Sequence, residues 1–126
     1  MEIDRKMYAQ LGSTIGAFCH ATRVGEFLFV SGMTARGTEA ENGDMEAQTD
    51  AVLRKIEHVL ESEGASFEDV ARVTVYVTDL TDFEKIHDVR RRYFGDHLPA
   101  STLVQVASLI GSEIKIEIEA IAVVSG

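Results

Sequence analysis

The chain is poor in the residues that cross-link or interrupt a polypeptide. It has one cysteine, Cys19, one proline, Pro99, and no tryptophan among its 126 residues. A lone cysteine cannot form an internal disulfide, so we expect a reducing compartment, the cytoplasm. No apolar run is long enough to span a bilayer, and the charged N-terminus lacks the apolar segment of a signal peptide, so we expect no membrane association.

Positive charge is also scarce. The chain has 12 Lys and Arg residues and 21 Asp and Glu residues, which gives a net charge of −9. Such a charge repels phosphate backbones and disfavours nucleic acid as a partner, which weighs against a ribonuclease. Apolar residues make up 45% of the sequence, which is typical of a folded protein, and the length predicts a single domain, residues 1–126.

Apolar periodicity and turn signals predict five strands and two helices. We expect two short strands within 17–31 around a type II′ turn at Gly25-Glu26, a polar loop at 34–43, a helix at about 44–63, a strand at 71–78, a helix from Thr81, and strands at 101–108 and 113–124. The order β-β-α-β-α-β-β predicts an α/β (α+β) fold in which two helices cover one face of a mixed sheet.

Helix ends are marked by capping residues. Asp44 and Gly64 are expected to cap the first helix, and Thr81 with Glu84 is expected to form a capping box on the second. The buried stripe of the second helix is predicted to contain Phe83, Ile86, Arg90, Tyr93 and Phe94, with His87 beside it.

The sheet face away from the helices is predicted to be chemically mixed. Its expected polar members are Arg72, Thr74, Tyr76, Glu117 and Glu119, and its apolar members are Leu103, Ile121 and Val123. This mixture is too apolar for water and too polar for a core, so it indicates a subunit interface with a wet pocket. Pro99 cannot donate in a sheet and marks the entry of a strand whose first residues, Ser101 and Thr102, we expect to face that pocket.

Several motifs together resemble the Rid (YjgF-like) family of reactive-intermediate imine and enamine deaminases. They are GAFCHATRVGEFLFVSGMTA, the pair Gln48-Thr49, TVYVTDLTDFEKI, YFGDHLPAS and VQVASLIGSEIKIEIEAIAVV, in family order over nearly the whole chain. The resemblance implies a chorismate-mutase-like subunit, a homotrimer with small-molecule pockets between subunits, and no metal or organic cofactor. It also implies hydrolysis of imines and enamines such as 2-aminoacrylate to a keto acid and ammonia.

The chain departs from the family pattern at four positions of the expected pocket. The family's carboxylate-binding arginine is Ser101 here, its tyrosine is Phe18, its helix asparagine is His87 and its cysteine is Leu103. A hydroxyl cannot replace a bidentate guanidinium, so we expect imines of simple amino acids to be poor substrates. The final-strand glutamate is retained as Glu117.

Glu117 and His87 are the candidate catalytic residues. Glu117 would position the water or act as general base, and a pocket beside apolar walls would raise its pKa; the alternative is an ion pair with Lys115 or Arg72 at the subunit interface. His87 would shuttle a proton; the alternative is a hydrogen-bonded core or interface histidine.

The candidate substrate-binding residues are Phe18, Cys19, Ser31, Gly32, Met33, Arg90, Ser101, Thr102 and Leu103. Ser31, Gly32 and Met33 end a strand where glycine allows close approach of a ligand, unless they form an ordinary turn. Arg90 could supply the charge that Ser101 lacks, or could form an intersubunit ion pair. Cys19 and the strand-entry hydroxyls could equally be structural, and the four histidines lack metal-ligand spacing, so no metal site is expected.

Two functions from different classes follow. The first is a Rid-type hydrolase acting on a small, non-standard imine or enamine, with the catabolism of an aromatic or nitrogenous compound as its setting. The second is a non-catalytic trimer that binds a small metabolite or regulates. Ammonia release from a panel of imines separates the two.

Overall fold

The computed structural model describes residues 1–125; Gly126, the last residue of the predicted domain, lies outside them. The elements in chain order are β1 (Asp4–Lys6), β2 (Ala21–Val24), β3 (Phe27–Met33), α1 (Met45–Ser62), β4 (Val70–Val77), α2 (Phe83–Phe94), β5 (Ala100–Gln105) and β6 (Ile116–Val123). The strands form one six-stranded sheet in the order β1-β2-β3-β6-β4-β5. Among the strands of residues 1–125 only β4 and β5 pair in parallel, which makes the sheet mixed. Both helices contribute to the core on one face, as predicted.

The helix side of the sheet holds the core, and strand alternation decides which residues reach it. On β6 the residues facing the helices are buried, namely Ile116, Ile118, Ala120 and Ala122. Their β4 partners Val73, Val75 and Val77 are buried as well. The α1 stripe that covers them begins after Asp44, whose carboxylate accepts a hydrogen bond from the Ala47 N–H at 2.9 Å, and ends before Gly64, which adopts φ +75°.

The opposite face, which we call the open side, is not covered by any described element. Phe27 and Phe29 of β3 are 51% and 42% exposed there, next to Val123 and Ile121 of β6. Polar residues continue the same face, and Tyr76 donates a 2.6 Å hydrogen bond to Glu119. The mixed character predicted for this face is therefore present, with two exposed phenylalanines that the prediction did not include.

Four sequence predictions need correction. Strand β1, which pairs with β2, was not predicted, because its three residues carry no apolar alternation. The capping box at Thr81 is wrong, because the Thr81 hydroxyl donates to Asp79 and the N-cap of α2 is Asp82, without a capping side chain. Phe83, predicted in the buried stripe, is 45% exposed. Leu103 lies on the helix side and packs against the core, because it pairs in parallel with buried Val75.

Candidate functional site

A cleft of about 1250 Å³ opens at the end of β3, beside the loop that leads to α1. Five of the predicted site residues line it: Phe18, Ser31, Gly32, Met33 and Glu117. Residues of the 10–15 loop, the 34–40 loop and the flank of α1 complete the walls. We call this space the Glu117 cleft.

A β-bulge shapes the floor of this cleft. Between Val30 and Met33, β3 advances three residues while its partner β6 advances two, so Ser31 and Gly32 together oppose a single residue. Bulges of this kind redirect side chains and are common beside active sites. The Ser31 hydroxyl donates a 2.7 Å hydrogen bond to the Cys19 carbonyl, which fixes the bulge to the preceding loop.

Gly32 is the residue that makes room for the Glu117 side chain. A methyl group on Gly32 would overlap the Glu117 carboxylate and lie 2.8 Å from its Cδ. The carboxylate therefore rests directly against the Gly32 Cα, and no larger residue fits without displacing it. Glycine at position 32 leaves space for the Glu117 carboxylate. It was predicted from the sequence only to allow the close approach of a ligand.

The Glu117 carboxylate is half-buried, and among residues 1–125 it has no ion-pair partner. Burial raises its pKa above the usual value, and the negative charge of Glu119 raises it further. Glu117 takes part in none of the ion pairs found within residues 1–125. Pairing with Lys115 or Arg72 at a subunit interface, the alternative drawn from the sequence, stays a prediction. A carboxylate of raised pKa in a cleft can accept a proton from a bound water near neutral pH.

Gln48 connects two walls of the cleft. Its fully buried amide donates to the carbonyls of Glu41 at 3.0 Å and Glu113 at 2.8 Å, and accepts from the Lys115 N–H at 2.8 Å. The loop before α1 is thereby attached to the segment that leads into β6. Gln48, from the pair that supported the resemblance, thus has a structural role: it fixes the backbone two residues before Glu117.

The far wall contains cationic and imidazole groups that the sequence analysis did not single out. Lys55 lines the cleft and donates a 2.9 Å hydrogen bond to the Arg36 carbonyl, and burial lowers its pKa. His20 is buried, accepts from the Tyr8 N–H through Nδ1 at 2.9 Å, and has a pKa lowered by burial and then by Lys55. The sequence did contain a signal for Lys55, because it lies on α1 between the buried residues Val52 and Ile56.

The remaining candidates lie mainly at a second place, which we call the α2–β5 edge: His87, Arg90, Ser101 and Leu103. Arg90 is 9% exposed and donates a 2.8 Å hydrogen bond to the Ser101 hydroxyl. His87 is half-buried, as predicted, with its ring 5.8 Å from that of Phe83. Burial lowers the pKa of His87, and the positive charges of Arg90 and Arg91 lower it further, which favours the neutral imidazole.

Thr102 and Cys19 belong to neither group. Thr102 lies on the open side, where its hydroxyl accepts a 2.8 Å hydrogen bond from Arg72, while Ser101 points to the helix side. The two strand-entry hydroxyls therefore cannot face one pocket. Cys19 is half-buried, and its thiol donates to the Ala21 carbonyl at 3.4 Å.

The Glu117 cleft and the α2–β5 edge do not meet within one chain. Glu117 projects from β6 away from the helices, whereas Arg90, Ser101 and Leu103 lie on the helix side. Strand β6 is also two strand spacings, roughly 10 Å, from β5. A site that contains both Glu117 and His87 therefore requires a second chain.

Residues 1–125 contain no group of three or more histidine, cysteine or acidic side chains placed to hold a metal ion. Neither α1 nor α2 combines the length and apolar character needed to cross a membrane.

The chain belongs to the endoribonuclease L-PSP family, which matches residues 9–124. A RutC family protein from Pyrococcus abyssi is 42% identical over 111 residues, covering 86% of this chain and 87% of that protein. A 2-iminobutanoate/2-iminopropanoate deaminase from Dermatophagoides farinae is 31% identical over 113 residues, covering 87% and 88%.

A solved structure confirms the fold. Rv2704 from Mycobacterium tuberculosis, a member of the YjgF/YER057c/UK114 family, superposes with a TM-score of 0.83 at 33% identity, covering 98% of this chain and all of that one. The resemblance to the YjgF-like family read from the sequence motifs is therefore confirmed.

Proposed function

We propose that this member of the family is an imine or enamine deaminase of the Rid type, which hydrolyses a small C=N compound to a carbonyl compound and ammonia. Family membership supports this type of activity, and the relative from Dermatophagoides farinae carries a deaminase name. The observation that carries the proposal in this chain is Glu117, an unpaired, half-buried carboxylate of raised pKa held against Gly32 in a cleft.

The proposed reaction needs only a positioned water and proton transfers. A protonated imine R₂C=NH₂⁺ is attacked at carbon by the water, whose proton passes to Glu117 while the C=N π pair moves to nitrogen. Glu117 returns that proton to the nitrogen of the carbinolamine, the C–N bond breaks, and the hydroxyl proton leaves with the ammonia. The sum is R₂C=NH₂⁺ + H₂O → R₂C=O + NH₄⁺, and positioning with general base catalysis supplies the rate.

We propose that the working unit is a homotrimer with pockets between subunits. The open side exposes Phe27 and Phe29 beside polar groups, and β5 is an edge strand, so both surfaces favour burial against another chain. Joining the Glu117 cleft of one subunit to the α2–β5 edge of its neighbour would bring a neutral His87 to the leaving nitrogen.

The remainder of the proposal concerns setting. We propose that the protein is a single domain in the cytoplasm and works without a metal or organic cofactor. We propose that its substrate is an imine from the catabolism of an aromatic or nitrogenous compound. We do not propose RNA cleavage despite the family's name, because a net charge of −9 repels a phosphate backbone.

The test is ammonia release from imines that an amino-acid oxidase or amine oxidase generates in the assay. Glu117→Gln keeps shape and one hydrogen bond while it removes the base, so turnover should fall about 10²–10⁴-fold. Glu119→Gln, two residues along the same face, is the matched control and should retain most turnover. Near-wild-type turnover in a folded Glu117→Gln variant would leave a backbone-positioned water as the mechanism.

Ser101 supports a second candidate, a non-catalytic trimer that binds a small metabolite. The family's arginine at this position is absent, and a hydroxyl alone binds a carboxylate weakly. If no imine of a broad panel yields ammonia above the buffer rate while a small ligand still raises the melting temperature, this second function replaces the first.

A further inference from the structure

One wall of the Glu117 cleft is formed by residues 8–15, which we call the N-terminal wall. Six of its residues line the cleft. Leu11 packs against the core, and the Thr14 hydroxyl makes hydrogen bonds within the loop that follows. The other hydrogen bonds found between this wall and the remainder of residues 1–125 are both made by Tyr8. The position of the wall therefore depends on the groups that Tyr8 contacts.

The first of these groups is His20, which holds the Tyr8 backbone. His20 is 5% exposed, and its Nδ1 accepts a hydrogen bond from the Tyr8 N–H at 2.9 Å. The two rings stack with their centroids 5.9 Å apart, and the Gly12 carbonyl of the same wall also lies close to the imidazole. The His20 backbone is itself fixed, since its N–H donates to the Lys6 carbonyl at 3.1 Å and its carbonyl accepts from the Ser31 N–H at 3.0 Å. The imidazole thus attaches the wall to a fixed point between β1 and β3.

The hydrogen bond from Tyr8 requires one protonation state of His20. Nδ1 accepts only while it carries no proton, so the neutral ring has its proton on Nε2. A second proton would make Nδ1 a donor that faces another donor, and the Tyr8 N–H would lose its acceptor in a buried place. Protonation of His20 therefore breaks the contact that fixes the wall.

The surroundings of His20 decide the pH at which this happens. Burial lowers the pKa of His20, and the positive charge of Lys55 on α1 lowers it further, while the Gly12 carbonyl acts in the opposite direction. An imidazole of lowered pKa stabilises the attached wall above the ordinary histidine value of about 6.5. This contribution is lost as the pH falls through the lowered pKa, because the attached state binds fewer protons than the released one.

The carboxylate of this cluster, Glu63, is shared among other partners. It accepts the Tyr8 hydroxyl at 3.0 Å and lies 3.7 Å from the side-chain nitrogens of both Lys6 and Arg23. His58, a second imidazole on α1, meets the edge of the Tyr8 ring, with centroids 6.2 Å apart. The titratable groups on the elements packed around His20 are Lys6, Tyr8, Cys19, Lys55, His58 and Glu63.

We propose that His20 is a positioning residue of the Glu117 cleft, whose neutral imidazole holds the N-terminal wall in place through Tyr8 and whose protonation releases that wall. Release widens the cleft on the side of the wall while the sheet and α1 stay folded. The proposal concerns the shape of the cleft, so it does not depend on which reaction takes place there.

The competing account is that His20 is an ordinary buried histidine, whose protonation destabilises the whole fold. The two accounts differ in where backbone amides lose protection from hydrogen exchange. Local release exposes the amides of Tyr8, Leu11 and Gly12 and leaves the Ser31 amide protected, because that amide donates to the His20 carbonyl from β3. Global destabilisation exposes all four amides together.

The test is amide hydrogen exchange of the assembled protein, followed by NMR from about pH 7.5 to about pH 4.5, a range that brackets the ordinary pKa of histidine. Rates are corrected for the intrinsic exchange rate at each pH. Protection of the Tyr8, Leu11 and Gly12 amides should fall as the pH drops, by up to about tenfold per pH unit, since release takes up one proton. The Ser31 amide should keep its protection, and the His20 ring should titrate with the midpoint of the Tyr8 amide.

Two substitutions separate the acceptor of His20 from its titration. In His20→Asn, Oδ1 stands two bonds from Cβ, as Nδ1 does, and can accept the Tyr8 N–H, but it takes up no proton in this pH range. Protection of the Tyr8 amide should persist in this variant and lose its dependence on acid. His58→Asn removes the neighbouring imidazole, and as the matched control it should show the wild-type fall.

Three results would overturn the proposal. They are wild-type protection of the wall amides that does not change with pH, a fall that the Ser31 amide shares, and a fall in His20→Asn as large as in wild type. If His20→Asn does not fold, the wild-type titration decides. A common midpoint for the His20 ring and the Tyr8 amide supports the proposal, and separate midpoints contradict it.

Discussion

The two sides of the sheet are built from the same strands and differ in almost every other respect. On β6 the residues that face the helices are Ile116, Ile118, Ala120 and Ala122, all nearly or fully buried. The residues between them are Glu117, Glu119, Ile121 and Val123, half-buried or exposed. One strand thus contributes to the core on one side and leaves its other side uncovered, which is the side that we propose for association and chemistry.

The largest effect is expected from a substitution in the core, on the helix side of the sheet. Ile118→Ala removes a fully buried side chain between two strands and α1, and should lower the free energy of unfolding by about 2–5 kcal/mol. Ile121→Ala, on the open side of the same strand, should cost less in unfolding and act instead on subunit association. Urea unfolding and sedimentation of both variants at one protein concentration provide the measurement; equal unfolding losses would contradict the division between the sides.

The second prediction disturbs the open side without touching the core. In Gly32→Ala the new methyl group overlaps the Glu117 carboxylate, which must swing away because the flexible side chain yields before the backbone does. A displacement near 1 Å at the reacting group costs on the order of 10²-fold in turnover. The measurement is ammonia release beside a melting curve, and wild-type turnover would show that the seat at Gly32 does not position Glu117.

The third prediction concerns pH. In the proposed reaction Glu117 acts in its deprotonated form, so its raised pKa should place the acidic limb of the kcat/KM profile above the range of an ordinary glutamate. Glu119→Gln removes the second cause of the shift and leaves burial, the first, in place. The limb should therefore move part of the way toward lower pH. A limb that stays in place or moves upward would argue that another group titrates there.

The smallest expected effect is at the α2–β5 edge. His87→Asn introduces the asparagine that is usual in the family at this position. His87 is half-buried on α2, and its side chain makes no hydrogen bond to any of the described residues. The variant should fold normally and alter the ranking of imine substrates more than the best turnover rate. A panel of oxidase-generated imines measures the ranking; a drop in turnover like that of Glu117→Gln would give His87 an essential proton-transfer role.

The features that could be read from the sequence were those with a local cause. The alternation of β6 and the stripe of α1 with its Asp44 cap follow from periodicity and capping chemistry, and both were predicted correctly. The capping box at Thr81 failed for an equally local reason, since Asp79 accepts hydrogen bonds from both the N–H and the hydroxyl of Thr81. Residue propensities do not tell which of two nearby carboxylates, Asp79 or Glu84, accepts the hydrogen bond from the Thr81 N–H.

The features that could not be read depend on parts of the chain that meet only in the fold. The contact between Gly32 and Glu117 requires the register of β3 on β6, including its bulge. The bond from Arg90 to Ser101 requires the crossover that lays α2 against β5. Both residues of each pair were candidates from the sequence, but their pairing, and the separation of the two groups on opposite sides of the sheet, was not evident there.

We propose that the Glu117 cleft of one subunit and the α2–β5 edge of another together form each site. Co-expression of Glu117→Gln with Ser101→Trp, which fills the edge with an indole at an exposed position, tests it directly. Each parent should be inactive. A random assortment of the two chains, verified by native mass spectrometry, should recover about one quarter of wild-type turnover, since about three quarters of the trimers are mixed and each mixed trimer has one intact site of three. Mixed trimers with no more activity than the parents would contradict the shared site.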